Sequence, residues 1–145
     1  MQIMEITDDT GFVEFGEWLL RAESVHRQLR PQLMADYSEQ MNRVFAGGGR
    51  MIIAAENETV LGLAVWRILE KTFSRSEIYI DDLVTDVQYR SNGVGRALIN
   101  WCENRGRELD CTQLTLDSGT PRHQAHKFYF REGFVVTSFH FGKSL

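Results

Sequence analysis

The sequence predicts a mixed α/β fold in which a β-sheet is flanked by helices. Strand-forming runs outnumber helical runs, and the helical runs are interleaved among them. From Val94 onward apolar residues recur at i, i+3, i+4, i+7 and i+8, which is the spacing of a helix that packs one face on a sheet. A chain of 145 residues without repeats or linkers is expected to form one domain, residues 1–145.

Three elements are predicted before residue 50. The alternation over Gln2–Thr7 favours a first strand. Helical spacing of the apolar residues predicts a helix over Gly11–Glu23. A second helix is expected to follow Pro31 and to end near Phe45, because three consecutive glycines come directly after it.

The remainder of the chain alternates between strand and helix signals. Asn57, Glu58 and Thr59 indicate a tight hairpin turn, and Thr120 before Pro121 is typical of a helix start. Gly133 is the expected end of that helix. The predicted elements are strands at Met51–Glu56, Val60–Leu69 and Glu77–Thr85, a helix from Val94, a strand at Gln113–Leu116, a helix from Pro121 to about Arg131 and a strand at Phe134–Phe141.

Composition and charge narrow the classes of protein. The hydrophobic share of 43% and the charged share of 25% are ordinary for a soluble globular protein. No apolar run is long enough to span a bilayer, and the first residues lack a signal-peptide pattern, so a cytoplasmic location is expected. A net charge of −4 disfavours a nucleic-acid partner, since such proteins usually carry a basic face.

The segment from Asp81 to Leu98, DDLVTDVQYRSNGVGRAL, carries the strongest chemical signal. A strand is followed by a glycine-containing loop that opens a helix. The start of a helix presents unpaired N–H groups and the positive end of a dipole, and Gly93 and Gly95 allow an anion to approach the backbone. With Arg90 and Arg96 beside them, these groups predict a diphosphate site.

Other phosphate motifs fit this segment less well. A P-loop requires lysine after its last glycine, where Arg96 stands. A dinucleotide fingerprint requires a third glycine, where Leu98 stands, and normally follows the first strand of its unit. The remaining alternative is that the glycines only form a turn.

Two motifs in register resemble the GCN5-related N-acetyltransferase (GNAT) superfamily. The first is the Arg-x-x-Gly-x-Gly-x-Ala-Leu run from Arg90, and the second is AHKFYFREGF over residues 125–134. Motif-level resemblance covers about Glu77 to the C-terminus. Residues 122–129 and 139–145 are similar to aminoalkylphosphonate N-acetyltransferases, whereas residues 78–83 are similar to diamine N-acetyltransferases. These local resemblances conflict and leave the acceptor open.

The resemblance implies a central, mostly antiparallel sheet of about six to seven strands flanked by about four helices. It also implies acetyl-CoA as co-substrate, no metal, and a homodimer. Backbone groups of three β-strand residues would contact the pantetheine arm, with the Val84 N–H polarising the thioester carbonyl. The implied cofactor-binding residues are Leu83, Val84, Thr85, Arg90, Ser91, Asn92, Gly93, Val94, Gly95 and Arg96.

Tyr129 and Asp81 are the implied catalytic residues, and Asp82 is a candidate substrate-binding residue. A tyrosine with a pKa near 10 can protonate a departing thiolate whose thiol has a pKa of about 8.5. An ammonium with a pKa near 10.4 must lose a proton before it attacks, and Asp81 could accept it. Regular pleating places Tyr79 and Asp81 on one face and Asp82 on the other, although a bulge would exchange the two aspartates.

The predicted activity is transfer of an acetyl group to a primary amine of a small molecule by direct attack in a ternary complex. A protein or peptide acetyltransferase, a non-catalytic acyl-CoA sensor and a dinucleotide-binding domain remain alternatives. His123 and His126 lie at i and i+3 but have no evident third metal ligand. Cys102 falls on an apolar helix face and is expected to be a packing residue, not a nucleophile.

Overall fold

The computed structural model describes all residues from Met1 to Leu145. It contains two compact units, Met1–Thr115 and Leu116–Leu145, so that one domain over residues 1–145 stays a prediction. No helix is both long and apolar enough to cross a membrane. The elements are β1 (Gln2–Glu5), α1 (Gly16–Leu29), α2 (Tyr37–Ala46), β2 (Arg50–Glu56), β3 (Thr59–Lys71), β4 (Arg75–Thr85), a short 3-10 turn (Val87–Tyr89), α3 (Val94–Glu108), β5 (Gln113–Leu116) and α4 (His123–Arg131).

A single sheet with the strand order β1-β2-β3-β4-β5 confirms the predicted α/β class. The pairs β1–β2, β2–β3 and β3–β4 are antiparallel. The sheet has five strands where about six to seven were predicted. The strand predicted at Phe134–Phe141 is wrong, because this segment has no strand partner and side chains such as Phe139 and Phe141 are exposed.

Turn and capping residues explain where the element boundaries differ from the predictions. The Asp8 carboxylate accepts from the backbone N–H groups of Thr10 and Phe12, so this stretch turns and α1 begins only at Gly16. Asp36 caps α2 by accepting from the Glu39 N–H. The predicted cap at Thr120 is wrong, since α4 begins at His123.

The sheet separates two apolar layers. On one face, Leu63 and Val65 of β3 join the core formed with α1 and α2. On the other face, Trp66 of β3 lies beside Trp101 of α3, with ring centroids 5.6 Å apart. The alternation along β3 therefore assigns α1 and α2 to one side of the sheet and α3 to the other.

A β-bulge interrupts β4 at Asp81. In the β3–β4 register Val65 pairs with Asp82 and Trp66 pairs with Ile80, which leaves Asp81 without a partner. The extra residue shifts the alternation by one, so Asp82 lies on the face of Val65, towards α1 and α2. The regular pleating predicted from the sequence was therefore wrong for Asp82. The bulge does not exchange the two aspartates, because both line one cavity.

Gly62 allows β3, β4 and the start of α3 to approach closely. A Cβ at this position would lie 2.7 Å from the Val84 carbonyl oxygen and 2.7 Å from a Val94 methyl group. We expect Gly62→Ala to lower the free energy of unfolding by about 1–3 kcal/mol through overpacking. Gly47→Ala is the control, because its Cβ would make only ordinary contacts at 3.5 Å. Equal stability of the two variants in urea denaturation would contradict the close approach.

Candidate active site

A cavity of about 390 Å³ lies between the two N-terminal helices and the β3–β4 pair. Leu33, Met41 and Val44 contribute apolar side chains to its lining. Most of the other lining side chains are charged or polar, and both bulge aspartates are among them. The complete lining is His26, Arg30, Gln32, Leu33, Gln40, Met41, Val44, Val65, Arg67, Tyr79, Asp81 and Asp82.

Asp81 is half-buried and has one ionic partner. Arg67 Nε donates to Asp81 Oδ2 at 2.8 Å, and Arg67 Nη1 donates to the Gly47 carbonyl at 3.1 Å. Burial raises the pKa of Asp81 above its ordinary value, and Arg67 offsets this effect only in part. Asp81 therefore binds a proton more readily than an ordinary aspartate.

Asp82 is more tightly held, because both of its oxygens have partners. His26 Nε2 lies 2.9 Å from Oδ2, and Arg30 Nε donates to Oδ1 at 2.6 Å. Burial alone would raise the pKa of Asp82, but the hydrogen bonds and charges of His26 and Arg30 outweigh it and hold the pKa below its ordinary value. Asp82 therefore remains a carboxylate.

Two buried side chains, His26 and Tyr37, extend the polar contacts of Asp82 into the protein interior. His26 Nδ1 lies 3.0 Å from Tyr37 Oη, and the side chains are 1% and 2% exposed. Their rings meet edge to face at 5.8 Å. Burial raises the pKa of Tyr37 well above its usual range, so this hydroxyl keeps its proton. The chain Tyr37–His26–Asp82–Arg30 thus connects α2, α1 and β4 by polar contacts.

The loop before α3 has the properties of an anion site. Ser91 and Gly93 adopt positive φ values of 66° and 79°, and Gly93 caps α3 without a side-chain hydrogen bond. The first N–H groups of the helix are therefore available to a ligand, at the positive end of its dipole. Residues 90–93 and Arg96 are exposed. Such features are typical of a diphosphate site, and the role of residues 90–96 in binding the cofactor stays a prediction.

Leu83, Val84 and Thr85 follow directly on the two aspartates in β4. They pair with Ala64, Leu63 and Gly62 of β3. The Val84 side chain belongs to the apolar core. A backbone contact of Val84 with the pantetheine arm stays a prediction.

Tyr129 belongs to the second unit. It lies in α4 with its ring 5.5 Å from Phe128 and 5.7 Å from Phe134, measured between centroids. The Phe134 N–H donates to the Tyr129 carbonyl at 3.0 Å, just past the glycine that ends the helix. Tyr129 as an acid stays a prediction.

Cys102 and the two α4 histidines are the other side chains that could react or bind a metal. Cys102 is fully buried in α3, and burial raises the pKa of its thiol to about 12. A protonated, inaccessible thiol is a poor nucleophile, which supports the packing role. The rings of His123 and His126 lie 6.3 Å apart, and no group of three metal-ligating side chains is present in the structure.

Sequence reasoning missed the partners of the aspartates: His26, Tyr37, Arg30 and Arg67. Two signals could have indicated them. His26 falls on the buried face of α1 with Ala22 and Val25, and a histidine there needs polar partners. Arg67 interrupts the apolar run of β3, which suggests an acidic partner on a neighbouring strand.

A second cavity, of about 550 Å³, is lined by residues of β1, the segment after it and α3. Its lining includes Glu5, Asp8, Asp9 and Arg105. None of the predicted site residues lines it, so its larger volume does not make it the better candidate.

The model of the Acetyltransferase (GNAT) family matches residues 12–134 of the chain. The chain therefore belongs to this family of acetyltransferases. It is an N-acetyltransferase that uses acetyl-CoA as co-substrate.

Individual relatives agree with this assignment. The chain is 28% identical over 132 residues to the uncharacterized N-acetyltransferase YhdJ of Bacillus subtilis, covering 88% of this chain and 91% of that protein. It is 33% identical over 66 residues to an aminoalkylphosphonate N-acetyltransferase of Salmonella typhimurium, covering 46% and 43%. The aminoglycoside acetyltransferase AAC(6')-Iy, solved with CoA, has a TM-score of 0.84 at 17% identity, with coverage of 99% and 93%. This last similarity shows the shared fold.

Replacement of Asp82 tests the ionic contacts of the site. Because its folded-state pKa is lowered, ionised Asp82 stabilises the fold above its unfolded pKa of about 3.9, and this stabilisation is lost as the pH falls through the folded value. We expect Asp82→Asn to lower the free energy of unfolding by about 2 kcal/mol at pH 7. The difference from wild type should shrink as the pH falls below about 3.9.

The control for this measurement is Asp110→Asn, since Asp110 is exposed. Denaturant unfolding at several pH values measures both variants. A destabilisation of Asp82→Asn that stays constant down to pH 3, or one shared by Asp110→Asn, would contradict the ionic contacts.

Proposed function

We propose that the protein transfers the acetyl group of acetyl-CoA to a primary amine of a small molecule, by direct attack in a ternary complex. The observation that supports this proposal is a cavity lined by Asp81, a carboxylate whose raised pKa suits it to accept a proton. Asp81 lies two residues before Leu83–Thr85, the segment whose backbone is expected to contact the cofactor. Its volume of about 390 Å³ lies near the lower end for small-molecule sites. A small acceptor fits such a site.

Acetyl-CoA, when bound, supplies the activated acetyl group. The loop from Arg90 to Arg96 would hold its pyrophosphate through the N–H groups at the start of α3 and the two guanidinium groups. The backbone of Leu83 and Thr85 would hold the pantetheine arm. The Val84 N–H would donate to the thioester oxygen and stabilise negative charge there.

Asp81 is the proposed base. A carboxylate with a raised pKa is a better proton acceptor than an ordinary one, and the amine must lose a proton before it attacks. Asp82 cannot share this role while its pKa is lowered, so it would instead orient the substrate amine as a fixed negative charge. The two neighbouring carboxylates of the bulge would thus have different roles, because their pKa values are shifted in opposite directions.

Tyr129 is the proposed acid, which would protonate the departing thiolate.

The names of the relatives support a small amine as acceptor: one is an aminoalkylphosphonate N-acetyltransferase, and AAC(6')-Iy is solved with a CoA-linked acetylneamine analogue.

A homodimer stays a proposal. The exposed apolar side chains of the C-terminal segment, Val135, Val136, Phe139, Phe141 and Leu145, support it.

Gly95→Asp tests the pyrophosphate site. We expect acetyl-CoA affinity to fall at least about 100-fold, because a carboxylate would face the anion; this corresponds to about 2.7 kcal/mol. The fold should tolerate the change, since aspartate in the first turn favours a helix. Calorimetric titration with acetyl-CoA measures the affinity.

Gly16→Asp is the matched control, because it places the same charge in the first turn of α1. A Cβ at Gly16 meets no atom within 4 Å. The control should bind acetyl-CoA as wild type does. Unchanged affinity in Gly95→Asp would move the phosphate site away from α3.

Asp81→Asn tests the base. We expect kcat/KM for a good amine to fall about 100-fold or more. The limb of the pH profile in which kcat/KM rises as Asp81 deprotonates should also be lost. In wild type that limb should lie at higher pH than for an ordinary aspartate, because the pKa of Asp81 is raised. Release of free CoA across pH measures both effects. Full activity of Asp81→Asn, with the pH limb retained, would remove Asp81 from this role.

A further inference from the structure

The charges of the cavity point to a more specific acceptor. Its ionisable lining consists of two carboxylates, two guanidinium groups, one imidazole and the phenol of Tyr79. The two carboxylates and the two guanidinium groups carry formal charges that cancel, so the cavity has no excess of negative charge. We propose that the acceptor is a zwitterion, a primary amine that also carries a carboxylate or phosphonate, and that Arg30 and Arg67 bind the acidic group. This inference rests on the proposed acetyl transfer to an amine.

Arg67 and Arg30 each have a terminal nitrogen that donates no hydrogen bond within the protein. Arg67 uses Nε for Asp81 and Nη1 for the Gly47 carbonyl, whereas Nη2 donates no hydrogen bond. Arg30 places Nε and Nη2 at Asp82 Oδ1, and Nη2 also donates to the Asp81 carbonyl at 3.3 Å, whereas Nη1 donates no hydrogen bond. A guanidinium group with unused N–H donors is well suited to bind the oxygens of a carboxylate or phosphonate.

Charge balance disfavours an acceptor that brings only positive charge. Asp81 and Asp82 already have guanidinium partners at 2.8 and 2.6 Å. If an ammonium group pairs with either carboxylate, the guanidinium group that was its partner loses part of the negative charge that balances it. An incompletely balanced charge in a partly buried site is costly. A zwitterion avoids this cost, because its acidic group can compensate the guanidinium that its ammonium group displaces.

The apolar part of the lining limits what can join the two charged ends of the acceptor. Leu33, Met41 and Val44 offer apolar contact to a short methylene chain. The chemical class that fits is therefore a short amino acid or aminoalkylphosphonate, and not a polyamine.

The test compares four acceptors with similar chains: butylamine, 1,4-diaminobutane, 4-aminobutanoate and 3-aminopropylphosphonate. Release of free CoA gives kcat/KM for each. We expect at least one acidic acceptor to exceed butylamine about 10-fold or more, with the diamine lowest. The better acidic acceptor identifies carboxylate or phosphonate as the group bound. Equal or higher values for butylamine or the diamine would overturn the inference while leaving N-acetylation intact.

Substitution of Arg67 tests the assigned residue. Arg67→Gln should lower the ratio of kcat/KM for the acidic acceptor to that for butylamine towards 1, and Arg67→Lys should retain part of it. The ratio cancels effects on Asp81, because both acceptors present the same amine. Arg30→Gln should act in the same direction, whereas Arg107→Gln, at a 69% exposed side chain, should leave the ratio unchanged. A wild-type ratio in both Arg67→Gln and Arg30→Gln would overturn the assignment.

Binding separates the inference from the proposed function. NMR titration of the wild-type protein with the same four compounds needs no turnover. Selective binding of an acidic acceptor without any acetylation would support the zwitterion site and contradict the proposed function. Preferential binding of the diamine would overturn the inference, whatever the activity.

Discussion

The β-bulge in β4 determines where the two carboxylates of the site lie. In a regular strand Asp81 and Asp82 would project from opposite faces, and one of them would enter the layer between the sheet and α3. That layer contains Trp66, Trp101 and Ile78, which offer little to a charge. The unpaired Asp81 shifts the alternation, so both carboxylates line the cavity beside α1 and α2.

Two carboxylates next to each other in a partly buried cavity need compensation, and the neighbouring elements provide it. Arg67 comes from β3, whereas His26 and Arg30 come from α1. The compensation is unequal. Asp82 has partners on both oxygens, and Asp81 has a single arginine. Their pKa values consequently move in opposite directions from the ordinary value, which is the pattern expected when adjacent carboxylates take different roles in proton transfer.

The sequence allowed prediction of features that depend on local signals. The glycines and arginines of the loop before α3, the helix that follows and the hairpin at Asn57 and Glu58 are all encoded within a few residues. The contacts around the aspartates are different in kind. His26 and Asp82 are 56 positions apart, and Arg67 and Asp81 are 14 apart across a bulge that residue types alone do not indicate. Such contacts depend on register and helix placement.

The strand predicted after Gly133 was wrong for a different reason. Its composition favours a strand, but a strand forms only where another strand offers hydrogen bonds, and none does so here. Local propensity therefore predicted an element that the sheet does not contain.

The bulge places the two adjacent carboxylates in one cavity, and their unequal partners separate their pKa values. A carbon-13 NMR titration of the Asp81 and Asp82 side-chain carboxyl carbons, assigned with Asp81→Asn and Asp82→Asn, measures both directly. The structure predicts that Asp81 titrates above and Asp82 below the ordinary aspartate value of about 3.9. The reverse order would contradict the proposed role of Asp81 and make Asp82 the base.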